Sequence, residues 1–110
     1  MGDAIAKDLQ SASVGGEEKK GEKDRMLVRQ VLLTAAPPGK TNTFSTADDR
    51  VIKGLFRLAH IPDPRPGHTG KFLDPANLGG KSVTDFLHDV LKQDSFDVTV
   101  QGYRLKVRPL

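Results

Sequence analysis

The 110-residue chain contains no cysteine. Disulfide frameworks and thiolate-bound zinc are thereby excluded, and the composition suits a reducing compartment. Long apolar runs are also missing. No stretch approaches the roughly 18 residues that span a bilayer, and the N-terminus lacks a basic segment followed by an apolar one. The expectation is an intracellular protein, cytoplasmic or (in a eukaryote) nuclear, with no membrane partner. Aromatics are few, one tyrosine and five phenylalanines, and most fall where the spacing demands a core, so no base-stacking platform is legible.

The formal charge of +3 is unevenly distributed. Residues 1–25 hold six acids and five bases, whereas residues 26–110 hold eight acids and twelve bases. The second part is mildly basic, which permits an anionic partner without requiring one. At this length there is room for one core only.

The most strongly specified stretch is Ser82 to Leu110. In Ser82-Val83-Thr84-Asp85 a hydroxyl stands three residues before a carboxylate, the reciprocal arrangement that starts a helix. Val83, Phe86, Leu87, Val90 and Leu91 then recur at helical spacing and predict one buried stripe. After Asp94 the period changes to two. Phe96, Val98 and Val100 mirror Tyr103, Leu105 and Val107 about Gln101-Gly102, which predicts a β-hairpin. Its other face then carries Thr99 opposite Arg104, Asp97 opposite Lys106 and Ser95 opposite Arg108.

Upstream, residues 1–21 read as a disordered tail, with Ala4, Ile5, Ala6 and Leu9 forming at most a fleeting amphipathic turn before a mixed-charge linker. Residues 22–110 read as one small α+β domain. Leu27, Val28, Val31, Leu32 and Ala35 suit a helix behind Glu22-Lys23-Asp24-Arg25. Met26–Thr34 also suits a buried strand, but the charged helix-formers before it and Pro37-Pro38-Gly39 after it favour the helix. Ser45-Thr46-Ala47-Asp48 predicts another helix start, with Val51, Ile52, Leu55, Phe56, Leu58 and Ala59 as its buried stripe. Gly54 weakens that helix unless a close neighbour needs the space. Residues 61–80 hold four prolines and four glycines and form a long loop.

Three short resemblances bear on function. Ala36-Pro37-Pro38-Gly39-Lys40-Thr41 resembles the end of the phosphate-binding loop of nucleoside triphosphatases. Thr34 stands where that loop needs its first glycine, however, and two prolines remove amide donors, so the segment reads as a helix stop. Gly67-His68-Thr69-Gly70-Lys71 resembles the G-x-x-G loop with which KH domains clamp a nucleic-acid backbone, though it is about ten residues short of opening the next helix. Three helices followed by a hairpin resemble, in order, a winged helix-turn-helix module. The resemblance implies a wing at the hairpin and a groove-reading helix from Ser82, on whose outer face Asp85 and Asp89 would oppose a phosphate-lined groove.

Catalytic and metal chemistry have little support. His60, Asp63 and His68 lack the spacing that points three ligands at one ion, and Asp85 with His88 at i, i+3 reads as a solvated contact. No serine or cysteine occupies a nucleophile setting. The expectation is a non-enzymatic binding domain with no cofactor and no metal, which contacts DNA or RNA backbone with low sequence specificity through Arg104, Lys106, Arg108 and the loop cations Arg65 and Lys71. Edge-strand protection explains the strand cations equally well, with Asp97 neutralising Lys106. The alternative is a protein-interaction adaptor docking by its hairpin edge or long loop, and a final strand left at the sheet edge would also allow a homodimer.

Overall fold

A computed structural model describes residues 4–16, 21–34 and 42–110. Their architecture is α+β, with helices layered on one face of a three-stranded mixed sheet. In chain order the elements are α1 (Ala4–Ser11), α2 (Glu22–Thr34), β1 (Asn42–Thr46), α3 (Asp49–Ala59), a 3₁₀ turn (Pro75–Asn77), α4 (Val83–Phe86, continued by a π-helical turn Leu87–Leu91), β2 (Phe96–Val100) and β3 (Tyr103–Pro109). None of these helices is long and apolar enough to cross a membrane.

The hairpin forms in the register that the alternation predicts. Phe96 faces Val107, Asp97 faces Lys106, Val98 faces Leu105, Thr99 faces Arg104 and Val100 faces Tyr103. Gln101 (φ 51°) and Gly102 (φ 83°) both take positive φ, the two-residue turn whose twist matches that of the strands it joins. Phe96, Val98, Val100, Leu105 and Val107 are buried on one face, where the Phe96 ring meets Phe56 of α3 edge-on at 5.3 Å.

Sequence alternation did not reveal β1. Asn42–Thr46 holds a single large apolar residue, Phe44, and pairs parallel to β3 with Thr43 beside Lys106 and Ser45 beside Arg108. The sheet order is therefore β1-β3-β2. The final strand is central, paired with β2 over Tyr103–Val107 and with β1 over Leu105–Pro109, and the hairpin's free edge belongs to β2. The hairpin edge at which a homodimer was expected to pair is therefore that of β2, not that of the final strand. The inserted strand and the extra helix α1 also make the winged-helix order only a rough match.

The helix expected over residues 22–36 is present as α2, which buries Val28 and Leu32; the Pro37-Pro38-Gly39 stop lies outside the described residues, as does the phosphate-loop-like segment through Thr41. Helix α3 begins later than the hydroxyls at Ser45 and Thr46 suggest, because both belong to β1. Asp48 is the cap, accepting from the Arg50 amide at 3.0 Å, and its own amide donates to Thr46 Oγ1. Ser82 caps α4 as expected, accepting from the Asp85 amide at 3.1 Å. In the π turn the Lys92 amide bonds the Leu87 carbonyl five residues back. This wider winding departs from the 3.6 period, and Val90 is exposed whereas Leu87 stays buried.

The segment read as a disordered tail carries α1, and Ile5, Leu9, Ala12 and Val14 belong to the same core as the hairpin; residues 1–3 and 17–20 lie outside the described residues. After α1 the chain crosses α3 over Gly54. Three guanidinium bonds to main-chain carbonyls hold it there: Arg25 Nη1 donates to Val14 (3.2 Å) and Gly16 (3.4 Å), and Arg57 Nη1 donates to Ala12 (2.9 Å). Each satisfies a carbonyl that regular structure does not.

Candidate nucleic-acid interface

Alternation along β3 sends Leu105 and Val107 into the core and Arg104, Lys106 and Arg108 out of the opposite face. Around them Thr43 and Ser45 of β1 and Asp97 and Thr99 of β2 are likewise exposed, and no described residue covers this side of the sheet. The cations rise from a floor of short side chains. Alternate residues of a strand stand about 6.7 Å apart, so the row spans about 13 Å.

None of the three cations makes an ion pair or hydrogen bond with the described residues. Asp97 lies opposite Lys106 in the register yet does not form the neutralising pair expected of it. The long side chains reach into solvent, where pairing across a strand is worth little. At the β2 side the face runs into an open groove of about 750 Å³, lined by His88, Lys92, Asp94, Ser95, Asp97 and Lys106 among others.

The loop cations are placed differently. Strand-like pairing closes residues 61–73 into a finger: the Leu73 amide donates to the Ile61 carbonyl (2.8 Å) and the Asp63 amide to the Lys71 carbonyl (2.9 Å). Leu73 and Leu78 anchor the loop in the core, on the helical side of the sheet. Asp63 has a fully buried side chain. Its Oδ1 accepts from the Arg65 amide (3.0 Å) and Nε (2.9 Å), its Oδ2 from Arg65 Nη2 (2.6 Å), and His68 Nδ1 lies 3.4 Å away. The side-chain bonds from Arg65 chiefly, with its amide and the charges of Arg65 and His68, outweigh desolvation and hold the Asp63 carboxyl well below the usual range. Arg65 is raised in return, and its guanidinium sits 5.4 Å from the centre of the Phe86 ring.

Arg65 is thus a structural cation, which removes it from the set expected to meet phosphate. Lys71 is exposed, but its loop is packed on the helical layer, away from the strand cations. The sequence-predicted site therefore divides: Arg104, Lys106 and Arg108 form one row, and Arg65 and Lys71 do not join it. Thr43 and Ser45, which do join it, were missed because nothing in Asn42–Thr46 announces a strand.

Comparison with family models, curated proteins and solved structures finds no match to the chain. The reading of the site accordingly rests on its own geometry. His60 caps α3 in a left-handed conformation and lies against Phe72 at 5.5 Å, and His68 turns to Asp63. Asp89, rather than Asp85, is the ion-paired acid of the fourth helix, bound to Lys81 Nζ at 2.9 Å.

Proposed function

We propose that this domain binds nucleic-acid backbone through the open face of its sheet, with Arg104, Lys106 and Arg108 as the phosphate contacts. The observation that carries this reading is the central position of β3. Charged side chains on an edge strand need no ligand to explain them, since they prevent pairing with other chains. At Lys106 the strand is paired on both sides and has no free edge to protect, and Arg104 and Arg108 are each paired on one side, to Thr99 and Ser45. The three cations, without ion pairs among the described residues, direct their field at solvent, where a phosphate chain neutralises them and releases counterions. Among the described residues that face carries no aromatic or amide side chain, which supports backbone contact with little sequence preference.

Fluorescence anisotropy with labelled mixed-sequence DNA at two salt concentrations tests it. Binding should weaken steeply as salt rises, and the combined Arg104→Gln, Lys106→Gln, Arg108→Gln variant, folded by circular dichroism, should lose it. Lys71→Gln should leave the salt slope unchanged. If DNA and RNA both fail to bind at low salt, the reading falls.

One observation favours a second reading, in which the domain is a protein-interaction adaptor. The outer edge of β2 has no partner strand among the described residues, so it offers backbone groups to an extended peptide. A defined protein captured after nuclease treatment, and lost on placing proline at exposed Thr99, would support it.

A further inference from the structure

The cation row has two unlike flanks. On the β1 side the register sets the Thr43 hydroxyl beside Lys106 and the Ser45 hydroxyl beside Arg108. Both residues are exposed on the same face as the cations, and neither hydroxyl makes a hydrogen bond with the described residues. On the β2 side Asp97 stands opposite Lys106 and the Thr99 hydroxyl opposite Arg104, and the groove beyond mixes Asp94 with Lys92 and His88, so the contrast between the flanks is sharpest at Lys106. A phosphate drawn to Lys106 meets a donor on one flank and a carboxylate on the other. Like charge repels it from the second, and a hydroxyl beside a cation adds a charge-assisted hydrogen bond on the first.

The same face also bears on the form of the ligand. Proteins that bind single strands without sequence preference draw much of their affinity from aromatic side chains on which the bases stack. Among the described residues none stands on this face. Of the exposed aromatics, Phe72 belongs to the loop on the helical side, and Tyr103 lies opposite Val100 and so on the core side of the pleat. A ligand held here by its phosphates alone gains no stacking from the protein, which favours one whose bases stay stacked on one another. Base pairing keeps them so, and it also presents the phosphates of each strand in a fixed, regular row.

Resting on the proposed backbone binding, we infer that the ligand is a duplex, one of whose strands runs along the seam between β3 and β1, its phosphates bound by Lys106 with Thr43 and Arg108 with Ser45 and extended by Arg104. Asp97, facing Lys106, disfavours the β2 side for that phosphate.

The test uses the full chain and a mixed-sequence duplex of about 20 base pairs, in DNA and RNA forms, with one DNA strand alone as comparison. Three phosphate contacts on a DNA duplex predict a slope of log K against log salt of about −2.7. Thr43→Val with Ser45→Ala should weaken duplex binding about threefold or more at low salt, while Thr43→Ser retains it. Asp97→Asn should tighten it severalfold. All these positions are exposed, and unchanged melting temperatures separate lost contacts from lost fold. A single strand bound as tightly as the duplex overturns the duplex assignment. Duplex binding indifferent to Thr43, Ser45 and Asp97 overturns the track along the seam. In both cases the broader proposal survives. Duplex and single strand both failing at low salt, or binding untouched by loss of the three cations, sinks the proposed function itself.

Discussion

Gly54 of α3 and Val14 touch so closely that a side chain cannot be interposed: a Cβ on Gly54 would overlap the Val14 Cα and stand 2.7 Å from both its Cγ2 and its backbone nitrogen. The glycine that weakens α3 is what lets the chain after α1 lie against it. Val14 is fully buried at this crossing, and the Gly15 amide donates to the Arg50 carbonyl at 3.2 Å beside it.

Gly54→Ala should therefore destabilise the protein, although alanine is the better helix former. The propensity gain is about 1 kcal/mol at most, whereas overpacking a tight contact costs about 1–3 kcal/mol. Here the obstructing atoms include main chain, which places the cost toward the upper end. Urea unfolding should show a net loss of about 1–2 kcal/mol, with faster amide exchange concentrated in residues 4–16. A more stable variant would mean that Val14 does not pack on α3.

Asp63 makes stability depend on acid. Its folded pKa is depressed below the unfolded value, so the stabilisation is complete above the ordinary aspartate pKa of about 3.9 and is lost as pH falls through the folded value. Asp63→Asn should lower the melting temperature by several degrees at neutral pH, because it leaves the Arg65 guanidinium without its carboxylate. The gap between variant and parent should then narrow in strong acid. Arg65→Gln should reproduce the neutral-pH loss without changing the salt dependence of DNA binding. A gap that persists undiminished at the lowest pH would contradict the pairing.

Gln101 occupies a left-handed position that asparagine tolerates better. Its side chain also reaches α1, with Nε2 donating to Asp8 Oδ2 at 2.8 Å. That bond is exposed, where even charged pairs contribute only about 0.2–1 kcal/mol, against about 1–2 kcal/mol for a left-handed residue other than glycine or asparagine. Gln101→Asn should raise stability by up to about 1 kcal/mol in a thermal melt. A lower melting temperature would show that the contact between hairpin turn and α1 outweighs the turn geometry.

Local chemistry sufficed wherever a rule needs only neighbours. The two-residue period from Phe96 to Val107, the Gln101-Gly102 turn and the Ser82 cap together determine the hairpin, its register and the outward row Arg104, Lys106, Arg108. The stripe of α3 is legible on the same grounds, because helical spacing concerns residues a few positions apart, whereas in α2 only Val28 and Leu32 of the expected stripe are buried and Leu27 is exposed. Tertiary structure decided what depends on distant partners. Asn42–Thr46 becomes a strand only because β3, some sixty residues later, offers it a ladder, and α1 has a place only because Gly54, Arg25 and Arg57 receive it. The same long-range pairing moved β3 from edge to centre and left Lys106 without the role of edge protection. Arg65 and Lys71 differ for a like reason: sequence shows two cations on one loop, and only the folded loop brings the buried carboxylate of Asp63 to one of them.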